Sequence, residues 1–236
     1  MNNILELKSI QTFIGQFHIL EGITLAVAEG SITALLGRNG AGKTTTLKSI
    51  IGLRPPREGK VIFAGTDIRG RRPYDIAALG IGYVPEHRAI FRALTVEENL
   101  KIAERKKGDL AQRADKIFGL FPDLKKFLKL PAGQLSGGQQ QMLAIARALV
   151  PDNRLLLIDE PSEGLAPILI EQLMDSIRSL SAHTTVLLVE QNFRMASQLA
   201  DYYYLIDDGK SIQHGAMQDL VKDRATIQRY LGAAQA

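Results

Sequence analysis

The most informative segment of this chain is Gly37-Arg38-Asn39-Gly40-Ala41-Gly42-Lys43-Thr44-Thr45, which fits the pattern G-x-x-x-x-G-K-[ST] of a phosphate-binding loop. The residues before it, 31–36, predict a short buried strand that runs directly into the loop. The residues after it, 44–52, predict a helix with its apolar side chains on one face. This strand–loop–helix order disfavours the simpler interpretation, a glycine-rich turn that merely precedes a helix.

The loop predicts a site for the phosphates of a nucleoside triphosphate. Its glycines allow successive backbone N–H groups to point inward at phosphate oxygens, and the helix N-terminus adds partial positive charge. All nine residues are therefore predicted to bind the nucleotide. We expect Lys43 to contact the β- and γ-phosphates and the hydroxyl of Thr44 to bind Mg²⁺.

The length, amino-acid composition and net charge of the chain exclude several classes of protein. The 236 residues are 45% hydrophobic, which is enough for one large domain, and the absence of cysteine excludes disulfides and thiolate metal sites. The four histidines lack metal-ligand spacing, and a net charge of +4 is not by itself a nucleic-acid signature. No apolar run approaches the ~18 residues of a spanning helix, and the N-terminus does not resemble a signal peptide. We therefore expect a soluble chain that acts at a membrane only through a partner.

The order of predicted elements indicates a helical block inserted into an α/β core. Alternating or buried apolar runs predict strands at residues 4–10, 19–27, 60–64, 81–84, 155–159, 184–189, 202–206 and 211–213. From Thr95 to Val150 the periodicity is helical, with a capping box at Thr95 and Glu98, a charged helix face at 101–107, and helices at 109–120 and 123–130. The predicted division is one domain over 1–236, with a core of 1–87 and 151–222, a helical subdomain of 88–150 and a C-terminal helix and tail of 223–236.

A second phosphate-site element follows the helical block. The buried strand Leu155-Leu156-Leu157-Ile158 ends in Asp159 and Glu160. Such a strand brings a carboxylate to the Mg²⁺ edge of the site, so Asp159 is predicted to orient the metal ion. Glu160 is predicted to polarise the attacking water, a form of general-base help worth ~10²–10⁴ in rate. Alone, the pair would also fit a strand end that caps the next helix.

A second potential anion site begins a long amphipathic helix. Ser136 suits the N-cap, and Gly137 and Gly138, followed by Gln139, leave unobstructed N–H groups at the helix start. The helical block is expected to hold this terminus away from the phosphate loop of the same chain. Two chains packed head to tail would place each terminus over the nucleotide of the other. A simple glycine-containing helix start is the alternative interpretation.

Together, the phosphate loop, Leu-Ser-Gly-Gly-Gln at 135–139 and Leu-Leu-Leu-Ile-Asp-Glu-Pro at 155–161 resemble the motifs of ABC-type ATPases. The resemblance covers nearly the whole chain. It implies an α/β fold, with a RecA-like, mostly parallel sheet core, an antiparallel β subdomain and an inserted helical subdomain. It also implies a dimer that holds two ATP molecules, each between one phosphate loop and the other subunit's signature helix.

Further segments resemble the ATP-binding subunits of branched-chain, or hydrophobic, amino-acid importers. They are Tyr83-Val84-Pro85-Glu86, residues 94–100, 136–149 and 163–167, and Val189-Glu190-Gln191-Asn192. The resemblance is to the smaller of two ATPases that work with two permeases and a periplasmic binding protein. It implies ATP and Mg²⁺ as cofactors, a heterodimer or a homodimer, and a peripheral position at the cytoplasmic face of the cell membrane. A urea importer, a soluble ABC ATPase acting on nucleic acid or ribosomes, and a non-hydrolysing regulatory partner remain alternatives.

Two positions near the γ-phosphate depart from the general ABC pattern. Glu86 stands where Gln usually contacts Mg²⁺ and the attacking water, so it is predicted to act in catalysis and as a stronger metal ligand. Gln191 stands at the switch position that usually holds His, where it is predicted to hydrogen-bond the γ-phosphate without carrying charge. Both exchanges are normal within the importer subfamily, which favours adaptation over a weakened site whose partner hydrolyses ATP.

Two further positions also depart from the pattern. Ala166 stands where the loop after Glu160 usually ends in Asp. The adenine-stacking aromatic is displaced, because Ile14 occupies its usual place and Phe13 lies beside it. We therefore predict adenine contacts at Phe13 and Ile14.

Overall fold

Residues 2–232, which the computed structural model describes, contain ten strands. They are β1 (Asn3–Ile14), β2 (Phe17–Ala28), β3 (Ile32–Leu36), β4 (Glu58–Phe63), β5 (Thr66–Asp67), β6 (Ile81–Val84), β7 (Leu155–Asp159), β8 (Thr185–Glu190), β9 (Tyr202–Asp207) and β10 (Lys210–Ala216). The longer strands predicted from alternation and burial are all present, and β1 and β2 extend further than expected. The two-residue β5 has no counterpart among the predictions.

The strands form two sheets, as the fold class predicted. A six-stranded sheet has the order β10-β9-β3-β8-β7-β6, in which β3, β8, β7, β6 and β9 run parallel and β10 is antiparallel. Strands β3, β7 and β8 are buried along their whole length, which explains their uninterrupted apolar sequences. A four-stranded antiparallel sheet has the order β2-β1-β4-β5.

Ten α-helices lie in the described part of the chain. They are α1 (Lys43–Ile50), α2 (Pro73–Ala78), α3 (Val96–Lys101), α4 (Asp109–Leu120), α5 (Pro122–Lys126), α6 (Gly137–Ala148), α7 (Pro167–Ser181), α8 (Phe193–Leu199), α9 (Met217–Leu220) and α10 (Arg224–Leu231). Helices α3 to α6 all lie between β6 and β7 in the chain, where the helical block was predicted. The exact subdomain boundaries stay a prediction, and the end of the predicted tail, residues 233–236, lies outside the described residues.

The charged run at residues 101–107 is mostly exposed, as predicted, but the prediction that it forms a helix face is wrong. Helix α3 ends at Lys101, and the carboxylate of Asp109 accepts hydrogen bonds from the backbone N–H groups of Arg105 and Lys106, both at 2.9 Å. This pairing favours a turn over a helix. Arg105 remains exposed, and its guanidinium donates to Asn153 Oδ1 at 2.9 Å.

The helix predicted at residues 123–130 is shorter than expected. Helix α5 ends at Lys126, because the following backbone pairs with the start of α3 instead. Leu128 and Leu130 accept hydrogen bonds from the N–H groups of Glu97 and Val96, each at 3.0 Å. The first part of the predicted helix thus belongs to α5, and the remaining residues connect α5 to the start of α3 through backbone hydrogen bonds.

Two buried clusters hold this arrangement together. One lies between the two sheets and contains Leu35, Leu47 and Leu157, and the other contains Ile158, Leu143 and Leu173 and joins the helical block to the parallel sheet. Adjacent residues of β7 contribute to different clusters because successive side chains of a strand point to opposite faces. The parallel sheet thus forms a rigid base for the loops at the carboxyl ends of β3, β7 and β8.

Candidate functional site

The phosphate-loop motif connects the central strand β3 to helix α1. Gly40 and Gly42 have φ angles of +82° and +105°, values that residues with a Cβ rarely adopt. At Gly37 the constraint is space, because an added Cβ would lie 2.3 Å from the carbonyl oxygen of Ile206. The loop therefore requires glycine for two different physical reasons.

Lys43 is held inside the loop by three partners. Its side chain is only 4% exposed, and Nζ donates to the carbonyl oxygens of Gly37 at 3.0 Å and Arg38 at 3.1 Å. Nζ also forms an ion pair with Glu160 Oε1 at 3.0 Å. The predicted phosphate ligand and the predicted general base are thus in direct contact.

Asp159 is fully buried at the end of β7 and accepts two hydroxyl hydrogen bonds. Thr44 Oγ1 donates to Oδ1 at 2.9 Å, and Tyr83 Oη donates to Oδ2 at 3.2 Å. Burial raises the pKa of Asp159, the charges of Glu86 and Glu160 raise it further, and the two hydroxyl groups oppose the shift. Burial and the adjacent Asp159 raise the pKa of Tyr83, which keeps its hydroxyl protonated and able to donate.

Glu190 is a candidate functional-site residue that sequence reasoning missed. It ends β8, is 1% exposed, and accepts hydrogen bonds from the N–H of Ser162 at 3.0 Å, the hydroxyl of Ser162 at 3.0 Å and the N–H of Asn192 at 3.1 Å. Burial raises the pKa of Glu190, and these hydrogen bonds oppose the shift. A signal was available, since Glu190 ends a buried strand just as Asp159 does.

Glu160 and Gln191 line one cavity of about 270 Å³. Glu160 has a φ angle of +44°, in a region uncommon for residues with a side chain, and its N–H donates to Val189 O at 2.9 Å. Glu190 connects the loop after Glu160 to the loop after Gln191 through Ser162 and Asn192. The two predicted catalytic residues therefore project from one hydrogen-bonded unit.

Glu86 lies near this site without lining the same cavity. Its charge raises the pKa of Asp159, so the two carboxylates influence each other. Its side chain faces a neighbouring cavity of about 430 Å³ that is also lined by Arg88 and Gln140. Thr44 and Asp159 are joined by a direct hydrogen bond, whereas Glu86 acts on Asp159 through its charge.

The predicted adenine contacts lie at the β1–β2 turn. The ring of Phe13 stacks on the ring of His18, with centroids 4.1 Å apart and an interplanar angle of 6°, and the guanidinium of Arg57 lies 4.3 Å from the Phe13 centroid. Ile14 is 40% exposed and Phe17 is 66% exposed. His18 is an aromatic partner that the sequence did not indicate, because strand pairing alone aligns it with Phe13.

The start of α6 has the cap that the sequence predicted. Ser136 Oγ accepts from the N–H of Gln139 at 3.3 Å, and Gln139 Oε1 accepts from the N–H of Ser136 at 2.9 Å. Gly138 is packed so tightly that an added Cβ would lie 2.4 Å from Leu169 Cδ1. Ser136, Gly138 and Gln139 line a cavity of about 570 Å³, which is separate from the cavity of Glu160 and Gln191.

Residues 2–232 contain neither a preformed metal-binding cluster nor a membrane-spanning helix. Within residues 2–232, no group of three or more His, Cys, Asp or Glu side chains is placed to hold a metal ion. Across the same range, none of the helices combines the length and apolar character that crossing a bilayer requires.

Comparisons with known proteins agree with this geometry. A profile of the ABC transporter family matches residues 20–163. The high-affinity branched-chain amino acid transport ATP-binding protein BraG of Pseudomonas aeruginosa is 39% identical over 97% of this chain and 100% of its own length. The probable branched-chain amino acid transport ATP-binding protein LivF of Archaeoglobus fulgidus is 41% identical over 88% of this chain and 89% of its own length.

A solved structure extends the agreement to the fold and to a nucleotide. An ATP-binding cassette of an ABC transporter, in its ADP conformation, superimposes with a TM-score of 0.86 at 27% identity, covering 99% of this chain and 100% of that one. The motifs, the two-sheet fold and these similarities lead to one conclusion: the chain belongs to the ABC transporter family, as an ATPase homologous to the ATP-binding subunits of branched-chain amino-acid transporters.

Proposed function

We propose that this ATPase powers the import of branched-chain or other hydrophobic amino acids through membrane permeases, bound at the cytoplasmic face of the membrane. The observation that carries the proposal is the buried contact between Lys43 Nζ and Glu160 Oε1 at 3.0 Å, beside Asp159. It brings a phosphate ligand and a general base into one site. The similarity to BraG and LivF supports the solute class.

In this proposal the nine residues of the phosphate loop bind ATP, and Lys43 exchanges partners during the cycle. When phosphate oxygens reach Nζ, they compete with the carboxylate of Glu160 for the same ammonium group. Glu160 is then free to accept a proton from the attacking water, while Gln191, in the same cavity, hydrogen-bonds the γ-phosphate. Phe13, stacked on His18, and Ile14 contact the adenine.

The residues beside Asp159 suit Mg²⁺. The hydroxyl of Thr44 and the carboxylate of Asp159 are oxygen ligands 2.9 Å apart, and Glu86 supplies further negative charge nearby. Mg²⁺ usually takes one or two carboxylates together with substrate phosphates, so a larger acidic cluster is not required. When bound, the ion neutralises charge on the phosphates. Thr44, Asp159 and Glu86 are the residues that we assign to it.

A second subunit completes each site in this proposal. Ser136, Gly137, Gly138 and Gln139 lie at the start of α6. The cavity lined by Ser136, Gly138 and Gln139 is separate from that of Glu160. The N–H groups of Gly137 and Gly138, which the capping box does not use, and the helix dipole suit the γ-phosphate of a nucleotide on a partner chain. The partner is a second ABC ATPase subunit, a heterodimer being favoured over a homodimer by the family resemblance. A periplasmic binding protein would act indirectly, through the permeases.

Purification with partners tests this proposal. We expect the tagged chain, isolated from its native membrane, to carry two permeases and a second ATPase subunit, and the complex reconstituted in vesicles to accumulate leucine only with ATP. Uptake of urea instead would redirect the substrate assignment. Steeply salt-dependent nucleic-acid binding without any permease would contradict the transport role.

A further inference from the structure

A separate cavity lies at the amino ends of β7 and β8, whereas the nucleotide site lies at their carboxyl ends. It has a volume of about 230 Å³ and is lined by Arg113 and Lys116 of α4, Asp152 and Asn153 before β7, and His183 and Thr184 before β8. Asp159 and Glu190 end those same two strands. At ~3.3 Å per residue, a strand of five or six residues separates the two sites by roughly 16–20 Å.

The cavity carries a cation without a counterion. Arg113 Nη2 forms an ion pair with Asp152 Oδ1 at 3.1 Å, and the side chain of Asp152 is 85% exposed. Across residues 2–232, Lys116 has no hydrogen bond and no ion pair. Burial lowers the pKa of Lys116 and the charge of Arg113 lowers it further, while Asp152 opposes the shift. An anion beside Lys116 would offset both the cost of burying its charge and the repulsion from Arg113.

The other free groups in the cavity are suited to the same kind of ligand. Thr184 is 7% exposed, and its hydroxyl has no hydrogen-bond partner among the residues that the structure describes. The ring of His183, in the same range, also has none. Asn153, by contrast, already has partners at both polar atoms: Nδ2 donates to Ala148 O at 2.6 Å and Oδ1 accepts from Arg105 at 2.9 Å. An ammonium, a hydroxyl and an imidazole remain to donate to one acceptor-rich group.

We propose that this cavity binds a tetrahedral oxyanion, either inorganic phosphate or the phosphate group of a small organic molecule. An ammonium and a guanidinium on one wall and a hydroxyl and an imidazole on the other suit several oxygens at once. The cavity volume of about 230 Å³ is large enough for several water molecules, which leaves space beyond the anion itself. The site joins α4 of the helical block to the strands of the core, so a bound anion would link the two.

Calorimetric titration with inorganic phosphate tests this proposal. The full chain is first saturated with Mg²⁺ and a non-hydrolysable ATP analogue, so that the phosphate loop cannot take up the probe. We expect one further site, with affinity reduced about tenfold or more in Lys116→Met and by a smaller factor in Thr184→Val. Lys125→Met, which removes an exposed lysine of α5 outside the cavity, should bind as the wild type does.

The outcomes separate the possible ligands. Tighter binding of glycerol phosphate than of inorganic phosphate would identify a phosphate ester as the ligand, and the reverse order would identify the free ion. Acetate binding as well as phosphate would overturn the tetrahedral class. Equal affinity in wild type, Lys116→Met and Thr184→Val, or no site beyond the phosphate loop, would overturn the cavity as an anion site.

Discussion

The phosphate-loop site and the signature helix α6 both offer donors to anions, but they are built differently. In the loop site, Lys43 is 4% exposed and already satisfied by two carbonyl oxygens and Glu160. At α6, the capping box of Ser136 and Gln139 satisfies only the helix start itself, and Ser136 is exposed while Gln139 is half-buried. One site is internally complete, whereas the other presents donors that its own chain does not use.

This difference indicates where the chain depends on a partner. A buried, self-paired site retains its geometry in an isolated subunit, because each charge already has a neighbour. An exposed helix start gains little until an anion reaches it. Substitutions in the first site should therefore impair chemistry within one subunit, and substitutions in the second should impair only what two subunits do together.

The largest effect is expected for Glu160→Gln. Removing the general base should lower kcat by ~10²–10⁴, while ATP binding is retained because the amide still fits beside Lys43. Steady-state ATP hydrolysis and equilibrium binding of a fluorescent ATP analogue measure the two quantities. Glu171→Gln, at an exposed position on α7, is the control and should leave both unchanged. Unimpaired turnover in Glu160→Gln would contradict the assigned role.

The second-largest effect is expected from a comparison of two helices that each begin with a capping box, α6 and α3. Ser136→Ala and Thr95→Ala each remove the hydroxyl that caps a helix, and each should cost about 1 kcal/mol of stability. Only Ser136→Ala should also reduce ATP hydrolysis, by about tenfold to a hundredfold, because only the helix start that Ser136 caps is assigned to a partner's nucleotide. Thermal unfolding and ATPase rates measured side by side test this. Equal loss of activity in both variants would reduce the role of Ser136 to folding.

A smaller effect is expected from the buried link between the two catalytic loops. Glu190→Gln keeps the size of the side chain but replaces one acceptor by a donor, which opposes the N–H groups that it must bind. We expect kcat to fall about tenfold with KM for ATP unchanged. Ser162→Ala, which removes one partner of the same carboxylate, should change kcat in the same direction and by less.

Combining Glu190→Gln with Ser162→Ala tests whether the two residues act through their shared hydrogen bond. If Glu190 acts through Ser162, the two losses should not add, since both remove part of one hydrogen-bonded unit. Additive losses, or a matching rise in KM, would show that Glu190 acts elsewhere.

The smallest effect is expected for Tyr83→Phe, which removes one of the two hydroxyls that hold Asp159. Such a hydrogen bond is worth about 1 kcal/mol, so the Mg²⁺ concentration required for half-maximal nucleotide affinity should rise a few-fold. Tyr204→Phe is the matched control, because its hydroxyl accepts from the N–H of Ala26 at 2.9 Å, away from the site. It should leave the Mg²⁺ dependence unchanged. A Tyr83→Phe curve that overlays the wild type would remove Tyr83 from the site.

What the sequence could predict follows from how each feature is encoded. The phosphate loop, the strand ending at Asp159 and the cap at Ser136 are local patterns, and their spacing is sufficient to infer them. The contacts of Glu190 with Ser162 and of Tyr83 with Asp159 join residues 28 and 76 positions apart, and no local pattern encodes them. They depend on the pairing of β6, β7 and β8 in one sheet.

The errors in the helical block have the same origin. Periodicity assigned residues 123–130 to one helix, but the pairing of Leu128 and Leu130 with the start of α3 ends α5 at Lys126. The charged run at 101–107 is mostly exposed, as expected, but the hydrogen bonds of Arg105 and Lys106 to Asp109 and of Arg105 to Asn153 form in place of a helix. Hydrophobic periodicity describes which side of an element is apolar, and tertiary hydrogen bonds decide where the element ends.

The central claim is that a nucleotide held by the phosphate loop is completed by Ser136 and its neighbours from a second subunit. The most direct test is the mass of Glu160→Gln in solution, measured by light scattering with and without Mg²⁺ and ATP, alone and with the permeases and ATPase that co-purify with it. The account predicts monomers without nucleotide and an ATP-dependent ATPase dimer that Ser136→Ala weakens. An unchanged, monomeric ATPase subunit in every one of these mixtures would contradict it.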